Sequence, residues 1–163
     1  MAVFTLRATT PADIPTLHRL MRDFALHEMA HERFKVTEAR LHEALFSPNP
    51  AISSVLADSD GMTVGFSLWF FFFGTFSGRY GLWVENLYVE ERYRGIGIGL
   101  ALFRHMARIA VEKDCVAMQW EVNDWNRQAV EFYDRIGSTS VSDTRLVKEM
   151  TGAALTALAK GNG

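Results

Sequence analysis

The residues best placed to do chemistry are Arg94-Gly95-Ile96-Gly97-Ile98-Gly99, three glycines spaced two apart where one kind of hydrophobic pattern gives way to another. Upstream, Leu87, Tyr88 and Val89 are apolar, aromatic and β-branched, as in a strand. Downstream, Leu102, Phe103, Met106, Ile109 and Ala110 recur at helical spacing. Glycines between a strand and a helix let the backbone approach a ligand closely and leave the first amide N–H groups of the helix unobstructed. Those donors and the positive end of the helix dipole suit a phosphate or pyrophosphate, and Arg94 adds a full positive charge. A purely structural glycine turn is the competing reading. Two better-known phosphate loops do not fit. A Walker loop needs Lys then Ser or Thr after its last glycine, and Ile98 and Leu100 offer neither chemistry; a dinucleotide fingerprint needs a further glycine at Leu100 or Leu102.

Other polar groups stand in apolar settings. Glu85 lies within Leu82-Trp83-Val84-Glu85-Asn86-Leu87-Tyr88-Val89, either on a solvated face or in a site. Asn126 and Tyr133 share one helix face two turns apart. A Phe132-Tyr133 pair on an amphipathic helix is ordinarily core. His27 and His31 are spaced i, i+4, but no third ligand is spaced to join them, so no metal is expected. Cys115 is the one cysteine, which excludes an internal disulfide and a cysteine-only metal site, and it reads as an inert thiol.

The elements that must position these groups follow from periodicity. Phe4 to Arg7 alternates as a strand. Asp13 is a candidate N-cap, with Pro15 in the first turn of a helix carrying Leu17, Leu20, Met21 and Phe24 toward about His31. A second helix spans Glu38 to Leu45, after Thr37 and before Ser47-Pro48-Asn49-Pro50. Ile52 to Ala57 and Met62 to Phe72 form a hairpin around Asp58-Ser59-Asp60-Gly61. A second turn at Gly74 to Gly78 leads to a strand from Tyr80 to Val89. The pattern then predicts a helix over Ile98 to Lys113, a strand over Val116 to Val122, a helix over Asn123 to Ile136 stopped by Gly137, and a strand over Arg145 to Lys148. The result is one mixed α/β domain over residues 1–163, with a βαβ unit at 82–122.

Composition narrows the class. With 48% hydrophobic and 22% charged residues the chain is globular in character rather than disordered. A net charge of −2 argues against nucleic acid as the partner. The longest apolar run, near Phe66 to Phe73, is too short to span a bilayer, so no membrane association is expected. Residues 1–5 show neither a basic n-region nor an apolar h-region, and a cytoplasmic protein is the expectation. Trp69 to Phe73 reads as a buried strand end or a homodimer contact.

Arg94-Gly95-Ile96-Gly97-Ile98-Gly99 resembles the Arg/Gln-x-x-Gly-x-Gly/Ala loop of the GNAT superfamily of N-acetyltransferases, on which the pyrophosphate of acetyl-coenzyme A lies. The segment Asn126 to Gly137 resembles the GNAT pattern Asn-x-x-Ala/Ser-x-x-Phe-Tyr-x-x-x-Gly, and the expected order β-α-α-β-β-β-α-β-α-β is that of the GNAT (acyl-CoA N-acyltransferase) fold, a mixed central sheet flanked by helices. The resemblance implies that Leu87, Tyr88, Val89, Arg94, Gly95, Ile96, Gly97, Ile98, Gly99, Leu100, Asn126, Arg127, Gln128 and Ala129 bind acetyl-CoA. It makes Tyr133 the general acid for the departing thiolate, a role suited to a phenol whose pKa is near that of a thiol, and gives the oxyanion to a backbone N–H near Tyr88 or Val89.

The chain is most similar in pattern to the diamine/polyamine and thialysine branch, through Phe4, Arg7, Thr10 and Asp13 and through Leu26-His27-Glu28-Met29-Ala30-His31-Glu32. In that branch a glutamate matching Glu85 accepts the proton of the substrate amine. His27, Glu28, Gln119, Trp120 and Glu121 would border the substrate, with Glu32 a second acid nearby. The implied activity is acetyl transfer to a primary amine of a small molecule, with homodimeric assembly. Other amines, such as an aminoglycoside or a protein N-terminus, and a non-catalytic coenzyme A-binding module are the alternatives.

Overall fold

The computed structural model describes residues 4–140 and 150–160. They fall into two compact units, residues 1–121 and 122–163.

The first unit is a five-stranded sheet with helices on both faces. Strands β1 (Phe4–Ala8), β2 (Ser53–Ser59), β3 (Met62–Gly74) and β4 (Arg79–Val89) lie side by side and antiparallel, and β5 (Met118–Gln119) adds to β4 in parallel. The β2–β3 turn has Asp60 at φ 52° and Gly61 at φ 75°, the two left-handed residues of a tight hairpin whose twist matches its strands. On one face, α1 (Ile14–His27) and α2 (Glu38–Phe46) set Ile14, Leu17, Leu20, Leu41 and Leu45 against Leu56, Phe66 and Leu68. On the other, α3 (Ile98–Glu112) buries Leu102 and Met106 against the sheet, and its His105 meets Trp69 edge-on with ring centroids 6.0 Å apart. Crossing from β4 through α3 to β5 makes the expected βαβ unit.

Several boundaries differ from expectation, each for a local reason. Asp13 does not cap α1 with its side chain; its carboxylate instead accepts the Thr10 N–H and hydroxyl across a short 3₁₀ turn, Pro11–Asp13. The Arg7 guanidinium grips the same carboxylate with two bonds of 2.8 Å and reaches Asp58 of β2 at 2.6 Å. This pairing holds the Asp13 carboxyl far below its ordinary value, with the Arg7 hydrogen bond the largest cause. Helix α1 stops at His27 rather than near His31. Ala30 N–H bonds Ala25 C=O at 2.8 Å and Met29 N–H bonds Leu26 C=O at 3.1 Å, with Met29 left-handed at φ 54°. Helix α2 begins as expected, with the Thr37 hydroxyl accepting Arg40 N–H. Strand β5 has two residues, far fewer than Val116 to Val122 would supply.

The second unit holds α4 (Arg127–Arg135) and α5 (Gly152–Ala159). The α4 helix starts four residues later than periodicity alone indicates, because Asn126 caps it: its side-chain oxygen accepts Ala129 N–H at 3.2 Å. Gly137 ends it at φ 90°, as expected. Helix α5 was not anticipated; Gly152 to Ala159 is rich in Ala and Leu, strong helix formers without a polar–apolar period to reveal them. The strand expected over Arg145 to Lys148 lies outside the described residues.

Candidate active site

The glycine loop adopts the conformation its composition permits. Gly95 (φ 78°) and Gly97 (φ 97°) occupy left-handed backbone that side chains disfavour, and a Cβ on Gly95 would meet nothing within 4 Å. The loop is therefore open as well as tightly turned. Gly97 is the N-cap of α3, and the first bond within the helix runs from Ala101 N–H to Gly97 C=O at 3.0 Å. The N–H groups of Ile98, Gly99 and Leu100 precede that bond and so have no helical acceptor. Gly99 is helical and needs no special φ; its Cβ position lies 4.0 Å from Leu87 of β4, so it packs the helix on the strand. A glycine cradle with three forward N–H groups fits a pyrophosphate.

Arg94 is tied to the strand end. Its Nε donates to Val89 C=O at 2.9 Å, and its guanidinium lies 5.8 Å from the Tyr88 ring centre. Tyr88 also meets Phe66 (6.2 Å), Phe24 (6.0 Å) and His27 (6.4 Å). Burial, then the Asp23 carboxylate, pushes its phenol above the ordinary value, so Tyr88 stays protonated and serves as a wall. This one ring links the loop arginine to His27 at the end of α1. Glu28 caps the same helix end through its backbone, donating to Phe24 C=O.

Strand β4 carries the feature that periodicity could not show. Leu68 pairs with Asn86 but Trp69 pairs with Val84, so Glu85 is an extra residue in a β-bulge. The bulge reverses the alternation along β4. Val84 and Leu82 share the α3 face with Trp69 and Phe71, whereas Tyr88 faces α1 with Phe66. Backbone direction reverses with it. Leu82 N–H points to β5, bonding Ala117 C=O at 3.0 Å, and Glu90 N–H points to β3, bonding Val64 C=O at 2.9 Å. By ladder alternation Leu87 and Val89 turn away from β3, toward the side where, among the described residues, β5 pairs only with Leu82 and Trp83, so that within the first unit this edge is open past Trp83. Of the two residues expected to supply an oxyanion donor, Val89 has its N–H on this open edge and Tyr88 does not.

Glu85 is exposed, and one of its oxygens accepts the Trp83 indole N–H at 3.1 Å. Gln119 pairs with Trp83 and so shares this sheet face. Trp120 does not: its ring packs edge-on against Phe103 of α3, 4.8 Å between centroids. Glu121 is exposed at the end of the first unit. In the second unit Asn126 caps α4, Arg127, Gln128 and Ala129 form its first turn, and Tyr133 stands two turns on, its ring 5.2 Å from Phe132. Among the described residues no cluster of three or more His, Cys, Asp or Glu could hold a metal ion. Burial raises the Cys115 thiol above its ordinary value, which disfavours a thiolate nucleophile.

The mixed sheet with helices on both faces and a glycine turn between β4 and α3 is the fold of acyl-CoA N-acyltransferases, and comparison with known proteins agrees. The chain belongs to the acetyltransferase (GNAT) family, whose model matches residues 16–137. It is an enzyme of that family, an N-acetyltransferase. Among its relatives is thialysine N-epsilon-acetyltransferase of mouse (Mus musculus), 30% identical over 88% of this chain and 89% of the relative. An integron cassette protein from V. cholerae superposes with TM-score 0.78 at 23% identity, covering 98% of this chain and 99% of that one. The aminoglycoside N-acetyltransferase AAC(6')-Iy, crystallised with CoA, superposes with TM-score 0.73 at 16% identity, over 93% and 97% of the two chains.

Proposed function

We propose that this protein transfers the acetyl group of acetyl-CoA to a primary amine of a small molecule of the thialysine or diamine/polyamine class. The observation that carries the cofactor assignment is the loop: Gly95 and Gly97 in left-handed backbone, ahead of three N–H groups without helical acceptors. Residues 94–100 would hold the pyrophosphate, the open edge at Leu87 to Val89 the pantetheine arm, and Asn126 to Ala129 a further part of the cofactor. When bound, acetyl-CoA supplies an activated thioester carbonyl. Val89 N–H would stabilise negative charge developing on the carbonyl oxygen. Glu85 would take the proton of the substrate ammonium, directly or through water, because only the neutral amine attacks. Tyr133 would return a proton to the departing sulfur.

For the acceptor, the mouse relative's substrate favours an amino acid with a terminal amine, and a diamine offers the same reach. Such molecules carry a second charged group, and His27, Glu28 and Gln119 would border it. We place the enzyme in the cytoplasm as a homodimer and read residues 1–163 as one acetyltransferase domain. A thioester-consumption assay with thialysine, spermidine, an aminoglycoside and a peptide N-terminus tests the reading. The expected result is turnover of thialysine or spermidine well above the other two. Preference for the aminoglycoside or peptide would overturn the acceptor class. CoA binding without turnover of any amine would overturn the catalytic roles.

A further inference from the structure

We infer that Trp83 is the positioning residue of the acceptor site, holding the Glu85 carboxylate in one orientation through its indole N–H. The inference rests on the reading of Glu85 as the base for the amine.

Glu85 is an awkward place to keep a base. As the extra residue of the bulge it has no partner on β3, so it lacks the cross-strand neighbour that confines a side chain in a regular ladder. Its side chain is exposed. A glutamate so placed has several torsions to order, and a base left to wander is poorly aligned for proton transfer.

Trp83 supplies the missing restraint. Its Nε1 donates to Glu85 Oε2 at 3.1 Å, two residues back along the same strand. An indole nitrogen is only a donor, so this contact occupies one carboxylate oxygen and leaves the other to accept a proton. The donor is itself held from both sides. Trp83 pairs with Phe70 on β3, ring centroids 6.4 Å apart at 32°, and with Gln119 on β5. It is the last β4 residue that β5 pairs, so the firmly laddered end of the strand reaches across to steady the bulged residue beside the open edge.

A double-mutant cycle reads this out, with thialysine or spermidine, whichever turns over faster, as the acceptor. Trp83→Phe keeps an aromatic ring and deletes the N–H. It should lower kcat about tenfold while KM for acetyl-CoA stays within about twofold. In a Glu85→Gln background the same change should alter kcat by less than about twofold, because the carboxylate that Trp83 orients is gone. Replacing Trp83 with benzothienylalanine, of the same shape but with sulfur for N–H, should reproduce the Trp83→Phe result and separates the hydrogen bond from packing. Equal losses in both backgrounds, or full activity with benzothienylalanine, would overturn the inference. Glu85→Gln with undiminished turnover would instead overturn the base assignment on which it depends, a failure visible before Trp83 is altered.

Discussion

Single residues separate a structural pair from a proposed catalytic group. Arg7 and Asp13, matched to the polyamine branch by sequence, are structural: their bidentate pair joins β1 to the turn that launches α1. Because pairing depresses the Asp13 carboxyl, its stabilisation is complete above the unfolded carboxylate value near pH 4 and is lost as pH falls toward the lower folded value. Asp13→Asn should therefore cost about 1–2 kcal/mol at neutral pH, the partial exposure of Arg7 limiting the figure, and the gap in melting temperature from wild type should close in acid. A gap independent of pH between 6 and about 2 would remove the pair from the account. Tyr133 is the general acid of the proposed mechanism. Tyr133→Phe keeps the ring against Phe132 and deletes the hydroxyl. Turnover should fall on the order of 10²–10⁴-fold with acetyl-CoA affinity little changed, and near-normal turnover would return this ring to packing.

At the scale of elements, the ends of helices do more than their middles. The α3 start presents its donors only because Gly97 tolerates φ 97°. Gly97→Glu would strain that turn and set a carboxylate beside the forward N–H groups. Acetyl-CoA at a hundredfold excess over Kd should stabilise the wild type by about 2.7 kcal/mol in thermal melting, and the variant hardly at all. A preserved shift would dissociate the loop from the cofactor. The α1 end shows the opposite economy. Met29 sits at φ 54° in a position that usually belongs to glycine, and it is 71% exposed, so little packing offsets the strain. Met29→Gly should raise stability by about 0.5–1 kcal/mol, or roughly 1–4 °C. A lower melting temperature would mean that the methionine makes contacts worth more than its backbone costs.

For the molecule as a whole, the β3–β4 hairpin exposes a group of aromatic rings. Trp69 is buried beneath α3, but Phe73 is 58% and Tyr80 47% exposed, and Phe76 at the turn is fully so. These exposed rings are the surface through which we propose that two copies pair. Light scattering at micromolar concentration should give twice the 18.4 kDa chain mass, and Phe76→Asp with Phe73→Lys should shift the population toward the chain mass. A monomer in the wild type refutes the dimer outright.

What could be read without coordinates was whatever local chemistry dictates. Glycines between a strand and a helix can take backbone that other residues avoid, and Gly95 and Gly97 are both left-handed there. The 3.6-residue recurrence of Leu102 and Met106 and the Asp60-Gly61 turn set α3 and the hairpin as anticipated, because periodicity and left-handed φ are local demands. Cooperative features were not legible. No residue type marks Glu85 as the extra member of a bulge; that depends on how Leu68 and Trp69 register across the strand. The bulge then decides that Val89 rather than Tyr88 faces the open edge, and that Tyr88 joins His27 in one wall. That the Trp120 ring packs edge-on against Phe103 of α3 likewise depends on tertiary packing and not on the local sequence. Sequence determined which groups are present and which backbone they require. The pairing of distant strands decided which way those groups face, because a one-residue slip turns every side chain beyond it to the other side of the sheet.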